Sequence, residues 1–422
     1  MVIDAERPAA PGSVAGTGLD IGALVDLALK TVYFAANIEA VELAKRLALS
    51  LNATSELLEF LRREGLCEVG GGTGRSPGSL RASLSTKGIN RAVAALATSG
   101  YVGPAPVPLQ AYLDQVRRQS IRDVEFSRQL VEESLSHLVL PQQIRDIIGQ
   151  AVSSKRAALL YGASGNGKTS AAEGLGRALS SHILIPYAIE AMRETIKVYD
   201  SSTHDAVDVP ESGQSGGLGM PDRRWVVIRR PAVFAAGELA ANHLELLLDE
   251  VHKTYEAPIQ MKANGGLLII DDFGRQRLDA TYLLNRWVVP LERHIDMLSL
   301  HNGARFEVPF DVIPIFVSNM HPSELADDAF LRRIRYKIEM PGPDAAAFVE
   351  ILKGECQRNE VAYDEAGASY LMDTYFYDGV REKRGCHPRD IVEAIAEAAR
   401  YQGRDRALTA ATIDEACKYY FV

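Results

Sequence analysis

The feature that most constrains this chain is the octapeptide at residues 162–169, GASGNGKT, which satisfies the phosphate-binding pattern G-x-x-x-x-G-K-[ST] at every required position. It follows a short apolar run typical of a buried strand, and it precedes a segment with helical spacing. Glycines let such a loop turn its backbone N–H groups inward, where the helix N-terminus adds partial positive charge. The sequence therefore predicts a loop that binds a nucleoside triphosphate. Its predicted contacts are Gly162, Ala163, Ser164, Gly165, Asn166, Gly167, Lys168, Thr169 and Ser170.

A second motif supplies the carboxylates that phosphate chemistry needs. Residues 265–272 read GGLLIIDD, an apolar strand followed by two aspartates, and ligands bind at the C-terminal ends of strands in open α/β sheets. We expect Thr169 and Asp271 to hold Mg²⁺, directly or through water, and Lys168 to reach the β- and γ-phosphates of ATP. Asp272 is placed to polarise an attacking water. An aspartate that merely caps the following helix is the alternative for this position.

Composition and charge limit the class of protein. With 422 residues, of which 47% are hydrophobic, the chain can bury the cores of two or three domains. A net charge of −9 argues against a dedicated, sequence-independent nucleic-acid binder, although a local basic channel stays compatible with it. The four cysteines are far apart, as is typical of reduced thiols in a cytoplasmic protein. Neither a membrane span nor a secretory signal is apparent, so no membrane insertion is expected.

Changes in composition divide the chain into segments. Residues 20–100 combine helical segments with two short strand-like runs around a Gly/Ser/Pro-rich tip, a pattern that resembles a winged helix-turn-helix domain. Three prolines at positions 104, 106 and 108 predict a semi-rigid connector. Farther on, strand and helix patterns alternate, which predicts a parallel sheet with helices on both faces. The predicted organisation is a disordered lead-in (1–19), a winged-helix-like domain (20–100), a Pro-rich connector and helix (101–136), an α/β core (137–341) and a helical domain (342–422).

One stretch of the core is polar and rich in glycine, serine and aspartate. Residues 201–222 lie between apolar runs at 196–199 and 225–228, and we interpret them as the long flexible tip of a β-hairpin. His204 and Asp205 could form a metal-binding pair, but the composition favours an exposed loop.

The order of these motifs resembles that of the AAA+ ATPase superfamily over residues 137–422. Residues 312–319, VIPIFVSN, resemble the sensor-1 strand of that family, which implies that Asn319 bonds the γ-phosphate or the lytic water. Residues 328–334, DAFLRRI, resemble its arginine-finger segment. The resemblance implies that Arg332 or Arg333, with a slight preference for Arg333, reaches the site of a neighbouring subunit, where a guanidinium offers bidentate donors.

The helical C-terminal segment resembles the AAA+ lid. Residues 386–391, CHPRDI, are similar to the sensor-2 motif, which implies that Arg389 contacts phosphate from the lid. A proline such as Pro388 suits the first turn of a helix. The resemblance therefore implies an α/β P-loop NTPase fold of the AAA+ type, with a parallel sheet flanked by helices, a helical lid and a winged-helix-like domain in front.

Three details bear on the branch of the superfamily. Asn302 and Gly303, between apolar-polar alternation, predict a β-hairpin just before sensor 1, which resembles the branch of MoxR-type chaperones, protease unfoldases and replicative helicases. Such hairpins often face a central pore, and a solvent-exposed connection is the alternative. Asp272 stands where most of the superfamily has glutamate, which implies slow turnover. An Asp-Asp pair followed by Phe-Gly, as at residues 271–274, also occurs in helicase loaders and transposition helpers. The insertion around residues 190–230 is longer than a minimal core needs.

The N-terminal segment leaves two kinds of partner open. Its expected reading helix, residues 53–65, sets three glutamates against Arg62 and Arg63, and residues 1–100 as a whole hold ten basic and ten acidic residues. Because phosphate contacts dominate DNA affinity, this neutral segment favours a protein partner. Arg75 and Arg81 in the expected wing keep DNA possible.

These patterns favour an ATP-hydrolysing AAA+ ring, expected to be a homo-hexamer, that remodels a protein or other macromolecular client in the manner of a chaperone. The alternative is a DNA-linked ATPase, either a transcription activator or a helicase-loader or transposition-helper type. The Gly-Ala-Phe-Thr-Gly-Ala loop of such activators is missing, which disfavours that version. A nucleotide-gated switch that hardly hydrolyses ATP is the third possibility.

Overall fold

The computed structural model describes residues 7–70, 80–209, 220–326, 331–377 and 381–421. Its helices are α1 (Ile21–Ala35), α2 (Ala40–Leu47), α3 (Leu51–Arg63), α4 (Thr86–Thr98), α5 (Leu109–Arg118), α6 (Arg128–Ser134), α7 (Gln142–Ser153), α8 (Lys168–Ala178), α9 (Ile259–Lys262), α10 (Ala280–Arg286), α11 (Val288–Arg293), α12 (Pro322–Leu325), α13 (Ala345–Arg358), α14 (Glu365–Tyr375), α15 (Cys386–Gln402) and α16 (Ala410–Tyr420). Its strands are β1 (Asn37–Glu39), β2 (Cys67–Gly70), β3 (Arg81–Leu84), β4 (Val107–Pro108), β5 (Ala158–Tyr161), β6 (His182–Pro186), β7 (Ala188–Ala191), β8 (Glu194–Lys197), β9 (Trp225–Arg229), β10 (Ala232–Ala235), β11 (Leu247–Asp249), β12 (Thr254–Glu256), β13 (Gly266–Ile270), β14 (Ile295–Ser299), β15 (Arg305–Pro309), β16 (Val312–Ser318) and β17 (Tyr336–Glu339).

The central sheet is parallel and has the order β10-β13-β16-β5-β17. Every residue of β13 and β16 is buried, as expected for strands covered on both faces. Helices α7 and α8 pack on one face of the sheet and α10 on the other, where Trp287 lies against Phe310 and Phe316. The predicted α/β class, a parallel sheet flanked by helices, is confirmed. Because the strands run the same way, β5, β13 and β16 end at one edge, and the phosphate loop begins there.

A second five-stranded sheet, of order β11-β12-β8-β7-β4, stands beside the central one. It corrects the hairpin predicted for residues 196–199 and 225–228. β8 pairs with β7 and β12, whereas β9 pairs with β6 in a separate antiparallel ribbon. The reason is that β6 offers β9 a second apolar run of matching length, with Ile183 opposite Ile228 and both buried.

His204 has a structural role in this region rather than the metal-binding role considered from the sequence. Its ring is buried, its Nδ1 accepts a hydrogen bond from the Asp200 N–H at 3.0 Å, and its Nε2 lies 2.9 Å from the Lys262 carbonyl oxygen. With both ring nitrogens engaged by backbone groups, the imidazole ties the segment after β8 to α9. Part of the predicted flexible tip, residues 210–219, falls outside the described residues.

The N-terminal segment contains a three-stranded antiparallel sheet of order β1-β3-β2, packed against α1 to α4. Helix α3 begins two residues before the predicted reading helix because Ser50 caps it, accepting a hydrogen bond from the Ala53 N–H. Ser85 caps α4 in the same way through the Gly88 N–H. The expected wing tip, which includes Arg75, lies outside the described residues.

The prediction that the lead-in is disordered is wrong for residues 7–19. The Val14 N–H donates to Glu56 at 2.8 Å, and Ser50 Oγ donates to the Pro11 carbonyl oxygen at 2.6 Å. Ala9 forms a β-bridge with Pro221. These contacts tie the segment to α3 and to the chain around Pro221, and composition alone does not reveal such distant partners.

Two further predictions about architecture are settled by the strand pairing and helix packing. The hairpin before β16 is confirmed, since β14 and β15 pair antiparallel and Gly303 turns the chain with a φ of +84°. Its apolar face, including Leu298 and Phe306, packs on the second sheet, while Met297 on the other face is exposed. The C-terminal segment is helical, and α13 to α16 enclose a separate core. Within the described residues, no helix combines the length and hydrophobicity that a membrane crossing requires.

Candidate nucleotide-binding site

The phosphate loop joins β5 to α8 at the carboxyl edge of the central sheet. Gly162, Gly165 and Gly167 have φ values of +134°, +86° and +79°, in the region that favours glycine. A Cβ atom at Gly162 would lie 2.7 Å from the Met340 carbonyl oxygen, so this position also needs a residue without a side chain. In the described part of the chain, the N–H groups of residues 163–167 have no backbone or side-chain acceptor. The loop is therefore shaped as an anion-binding nest at a helix N-terminus.

Lys168 lies folded over this loop. Its Nζ donates hydrogen bonds to the carbonyl oxygens of Gly162 at 3.0 Å and Ala163 at 2.8 Å, and only 5% of the residue is exposed. Burial lowers the pKa of Lys168, while the charges of Asp271 and Asp272 act in the opposite direction. An incoming polyphosphate would stabilise the charged ammonium further, so burial favours binding of an anion here.

The two motifs recognised in the sequence meet at one hydrogen bond. Thr169 Oγ1 donates to Asp271 Oδ2 at 3.0 Å, across a separation of 102 residues. Asp271 Oδ1 accepts the Asp272 N–H at 2.8 Å, so both oxygens of this carboxylate have a hydrogen-bond donor. A hydroxyl and a carboxylate oxygen side by side are suitable donors for Mg²⁺, which prefers oxygen ligands and takes only one or two from the protein.

Mg²⁺ would depend on the nucleotide for its other ligands. Among the described residues no group of three or more histidine, cysteine, aspartate or glutamate side chains could hold a metal.

Asp272 has an unusual backbone conformation, with a φ of +51° and an exposed side chain. Aspartate tolerates this left-handed region better than most residues, and the bond from its own N–H to Asp271 holds it there. Gln276 Nε2 secures the turn by donating to the Asp271 carbonyl oxygen at 2.7 Å. The turn directs the second carboxylate away from the strand, and strained turns of this kind are common at functional sites.

Asn319 follows β16, next to the strand that carries the carboxylates, and is half-buried. The ends of the two strands are tied together, because the Phe273 N–H donates to Val317 at 2.8 Å and Ser318 Oγ donates to Phe273 at 2.7 Å. The structure thus brings Asn319 to the same edge of the sheet as the phosphate loop. Its contact with phosphate or water remains a prediction.

The two finger candidates differ in exposure. Arg333 Nε donates to Glu292 Oε1 at 2.9 Å, and its side chain is 15% exposed. Arg332, one residue earlier, is exposed. A residue that reaches another subunit has to project outward, so the structure favours Arg332, whereas the sequence slightly preferred Arg333. Most of the motif before them, residues 328–330, lies outside the described residues, and the role of either arginine remains a prediction.

The C-terminal domain carries two arginines around the start of α15. Arg389, in the first turn of α15, is held by Asp390, with Nη2 and Oδ1 2.8 Å apart, and Asp390 Oδ2 in turn accepts the Tyr420 hydroxyl at 2.6 Å. Arg384 precedes α15, and its charge contributes to the lowered pKa of Lys168 after burial, so it lies within electrostatic range of the loop. Arg384 was missed from the sequence because it precedes the sensor-2-like motif, and its only signal was a basic residue directly before Gly385.

Comparisons with known proteins find one family model that matches the C-terminal segment and two solved structures with distant similarity. A family model described as "Domain of unknown function (DUF8689)" matches residues 344–419, which correspond closely to α13–α16. No curated protein matches the chain. Among solved structures, NtrX from Brucella abortus is similar at 13% identity over 64% of this chain and 52% of that chain, with a TM-score of 0.42. A RuvB mutant from Thermotoga maritima is similar at 12% identity over 71% of this chain and 72% of that chain, with a TM-score of 0.36. This chain spans about half the length of the NtrX chain, and both likenesses are distant.

Proposed function

We propose that this chain is an ATP-binding and ATP-hydrolysing ATPase of the AAA+ type. The observation that supports this most directly is the 3.0 Å hydrogen bond between Thr169 and Asp271. It places a hydroxyl and a carboxylate side by side at the mouth of a glycine-rich loop, next to a buried lysine. A glycine-rich turn without a catalytic role has no need of a carboxylate from another strand at that point.

Each residue of the site has a role in hydrolysis that follows from its position. The loop N–H groups and Lys168 bind and orient the phosphates. Thr169 and Asp271 would hold Mg²⁺, whose charge offsets that of the β- and γ-phosphates. Asp272 accepts a hydrogen bond from the attacking water and orients it, and its exposed carboxylate is accessible to that water. Aspartate is shorter than the glutamate common in the superfamily, so we expect slow turnover.

We further propose that the ATPase works as a homo-oligomeric ring, most simply a hexamer, with Arg332 completing the site of the next subunit. Its exposure supports this choice over Arg333, whose side chain pairs with Glu292. The ring also gives a use to the hairpin of β14 and β15, whose outer face carries the exposed Met297.

The N-terminal domain, which we interpret as winged-helix-like, is better suited to a protein client than to DNA. Each arginine that the structure describes between residues 20 and 100 pairs with a carboxylate, which offsets part of the positive charge that phosphates would otherwise meet. These pairs are Arg46–Glu42, Arg62–Glu59, Arg63–Glu59, Arg81–Glu39 and Arg91–Asp26. A DNA-linked ATPase is the second candidate. A mobility shift of random duplex DNA that disappears steeply with added salt would favour it, whereas no shift at low salt favours a protein client.

A matched pair of substitutions tests the proposed activity. Thr169→Val keeps the shape of the side chain but removes the hydroxyl, whereas Thr169→Ser keeps the hydroxyl. We expect the valine variant to lose the Mg²⁺ dependence of nucleotide affinity and to lower phosphate release from ATP by at least about tenfold, because a metal ligand and a charge-assisted contact are lost. The serine variant should stay close to wild type. Equal turnover of Thr169→Val and wild type would refute the assignment of this site.

Assembly is tested separately by light scattering with and without ATP. The proposed ring requires a larger particle when ATP is bound. A monomer at all ATP concentrations would overturn the ring while leaving the nucleotide site itself untouched.

A further inference from the structure

The side chain of Asn166 bridges the phosphate loop and the C-terminal domain. Asn166 is 6% exposed, its Nδ2 donates to the Met340 carbonyl oxygen at 3.1 Å, and its Oδ1 accepts the Gly385 N–H at 3.3 Å. Met340 directly follows β17 of the central sheet, and Gly385 directly precedes α15. One amide therefore connects the loop, the sheet and the helical domain.

The orientation of this amide is determined by its partners. A carbonyl oxygen can only accept a hydrogen bond, and a backbone N–H can only donate one. The nitrogen of Asn166 must therefore face Met340 and its oxygen must face Gly385. A side chain of another type at this position could satisfy one partner but rarely both.

The surrounding backbone is packed so closely that glycine is required at Gly165 and Gly342, and Gly385 is closely packed as well. A Cβ atom at Gly165 would lie 2.3 Å from Cys386 Sγ, and one at Gly342 would lie 2.2 Å from the Lys383 carbonyl oxygen. A Cβ atom at Gly385 would lie 3.1 Å from the Gly165 carbonyl oxygen. We call Gly165, Asn166, Gly342, Gly385 and Cys386 the loop–lid joint. In this joint the start of α15 rests on the phosphate loop with no side chain between the two backbones at Gly385.

We propose that Asn166 is a positioning residue that couples nucleotide occupancy of the loop to the placement of the C-terminal domain. This inference rests on the proposed ATPase function. Asn166 lies between Gly165 and Gly167, which both have positive φ, so an adjustment of the loop around phosphates reorients its side chain. The amide then carries Gly385 with it.

Two arginines of the C-terminal domain lie on either side of Gly385 in the sequence, and the placement of their side chains depends on the position of Gly385. Arg384 is the preceding residue, and Arg389 lies in the first turn of α15. Because a displacement of about 1 Å can lower a catalysed rate by about 10²-fold, the joint would set how well these guanidinium groups meet the phosphates. Asn166 acts through other residues and does not itself react.

The first test is Asn166→Ala, measured by steady-state kinetics and by nucleotide affinity. We expect kcat to fall by about tenfold to 10²-fold while the affinity for the nucleotide changes by less than about threefold, because the loop N–H groups and Lys168 remain. A purely structural role would change thermal stability without this separation of kcat from affinity. Wild-type kcat in Asn166→Ala would overturn the proposal.

The partner of Asn166 offers a matched pair of variants. Gly385 has a φ of −61°, which proline can adopt, and Gly385→Pro removes the N–H that Asn166 accepts. Gly385→Ala introduces the same Cβ atom but keeps the N–H. We expect kcat of the proline variant to be several-fold below that of the alanine variant, and no further loss when Asn166→Ala is added, as for two halves of one interaction. Equal kcat for the proline and alanine variants would contradict the coupling.

Cys386 supplies a readout that does not depend on hydrolysis and so keeps the test decisive even where a variant loses activity. Cys386 is half-buried, whereas the three other free cysteines, Cys67, Cys356 and Cys417, are buried. Its alkylation by iodoacetamide, followed by peptide mass spectrometry, should be at least about threefold faster in Asn166→Ala than in wild type. ATP should change the rate in wild type but not in the variant.

The two proposals fail in different ways. A wild-type protein that neither binds nor hydrolyses ATP refutes the ATPase function. If the wild-type protein is active, and ATP changes Cys386 alkylation as strongly in the Asn166→Ala variant as in wild type, the coupling alone is refuted.

Discussion

The substitution Asp272→Asn separates the proposed hydrolytic role of this residue from nucleotide binding. Replacing a carboxylate that orients the attacking water with an amide should lower turnover by about 10² to 10⁴-fold, which corresponds to about 3–5 kcal/mol of lost transition-state stabilisation. Binding should respond in the opposite direction. The Asp272 charge lies near Lys168 and therefore near the phosphates, so its removal should leave ATP affinity unchanged or increase it.

The folded state should tolerate this substitution. Asp272 is exposed, and asparagine accepts its φ of +51° at least as well as aspartate does. The hydrogen bond to Asp271 comes from the backbone of Asp272 and survives the change. We expect the free energy of unfolding to change by less than about 0.5 kcal/mol. Loss of activity with unchanged stability and unchanged or tighter binding is therefore the expected combination.

The assay measures phosphate release at saturating ATP and Mg²⁺, with affinity measured separately by a fluorescent nucleotide. Asp279→Asn is the matched control, because Asp279 is an exposed carboxylate seven residues further on that caps α10 through the Tyr282 N–H at 3.0 Å. Asparagine caps a helix equally well, so this control should keep wild-type turnover. Turnover of Asp272→Asn within about threefold of wild type would reject Asp272 as the residue that activates water. Loss of nucleotide binding would show instead that its carboxylate is structural.

The remaining predictions concern binding, the shared site and stability. Lys168→Ala should abolish nucleotide binding, which is checked by isothermal titration, because it removes the buried ammonium proposed to bind the phosphates; near-wild-type affinity would contradict the site. Arg332→Ala should lower turnover by at least about 10²-fold, and mixing it with Lys168→Ala subunits should restore part of the activity, whereas Arg333→Ala should act mainly on thermal stability. Rescue by mixing with Arg333→Ala instead would reverse the assignment. Burial lowers the pKa of Lys30 to about 8, so the folded state disfavours its charged form. The resulting destabilisation of the folded state is complete below about pH 8 and disappears as the pH rises toward 10.5. Lys30→Met should therefore raise the free energy of unfolding at pH 7 by roughly 1 kcal/mol, after the lost hydrogen bond to Ser99 is subtracted, with a smaller gain near pH 10 in denaturant titrations; equal gains at both pH values would contradict the reasoning.

The parts of the fold that sequence reasoning predicted are those set by neighbouring residues. The loop at 162–169, the carboxylate strand and the Asn302–Gly303 turn each depend on spacing within about ten residues. The meeting of Thr169 with Asp271 was also predictable, because parallel strands present their carboxyl ends at one edge of a sheet.

The parts that could not be predicted depend on contacts between segments far apart in the chain. Pro108 lies in a connector by composition, yet β4 pairs with β7, some eighty residues later. The second sheet combines strands from three separate stretches, and no local pattern determines which apolar run pairs with which. Asn166 fitted the phosphate-loop pattern, but its contact with Gly385 spans 219 residues. The exposure difference between Arg332 and Arg333 likewise arises from Glu292 on a distant helix.

The second sheet connects the N-terminal domain to the proposed ATPase core, so that this domain is not a module on a free linker. Arg224, buried and paired with Asp222 at 2.9 Å, donates to the carbonyl oxygens of Thr17 and Pro106. The Gly100 N–H donates to the His252 carbonyl oxygen in the turn between β11 and β12. The core of this sheet also includes Met261, five residues before β13, the strand that leads to Asp271. Buried apolar contacts and strand pairing therefore join the carboxylate strand to the N-terminal domain through continuous packed structure.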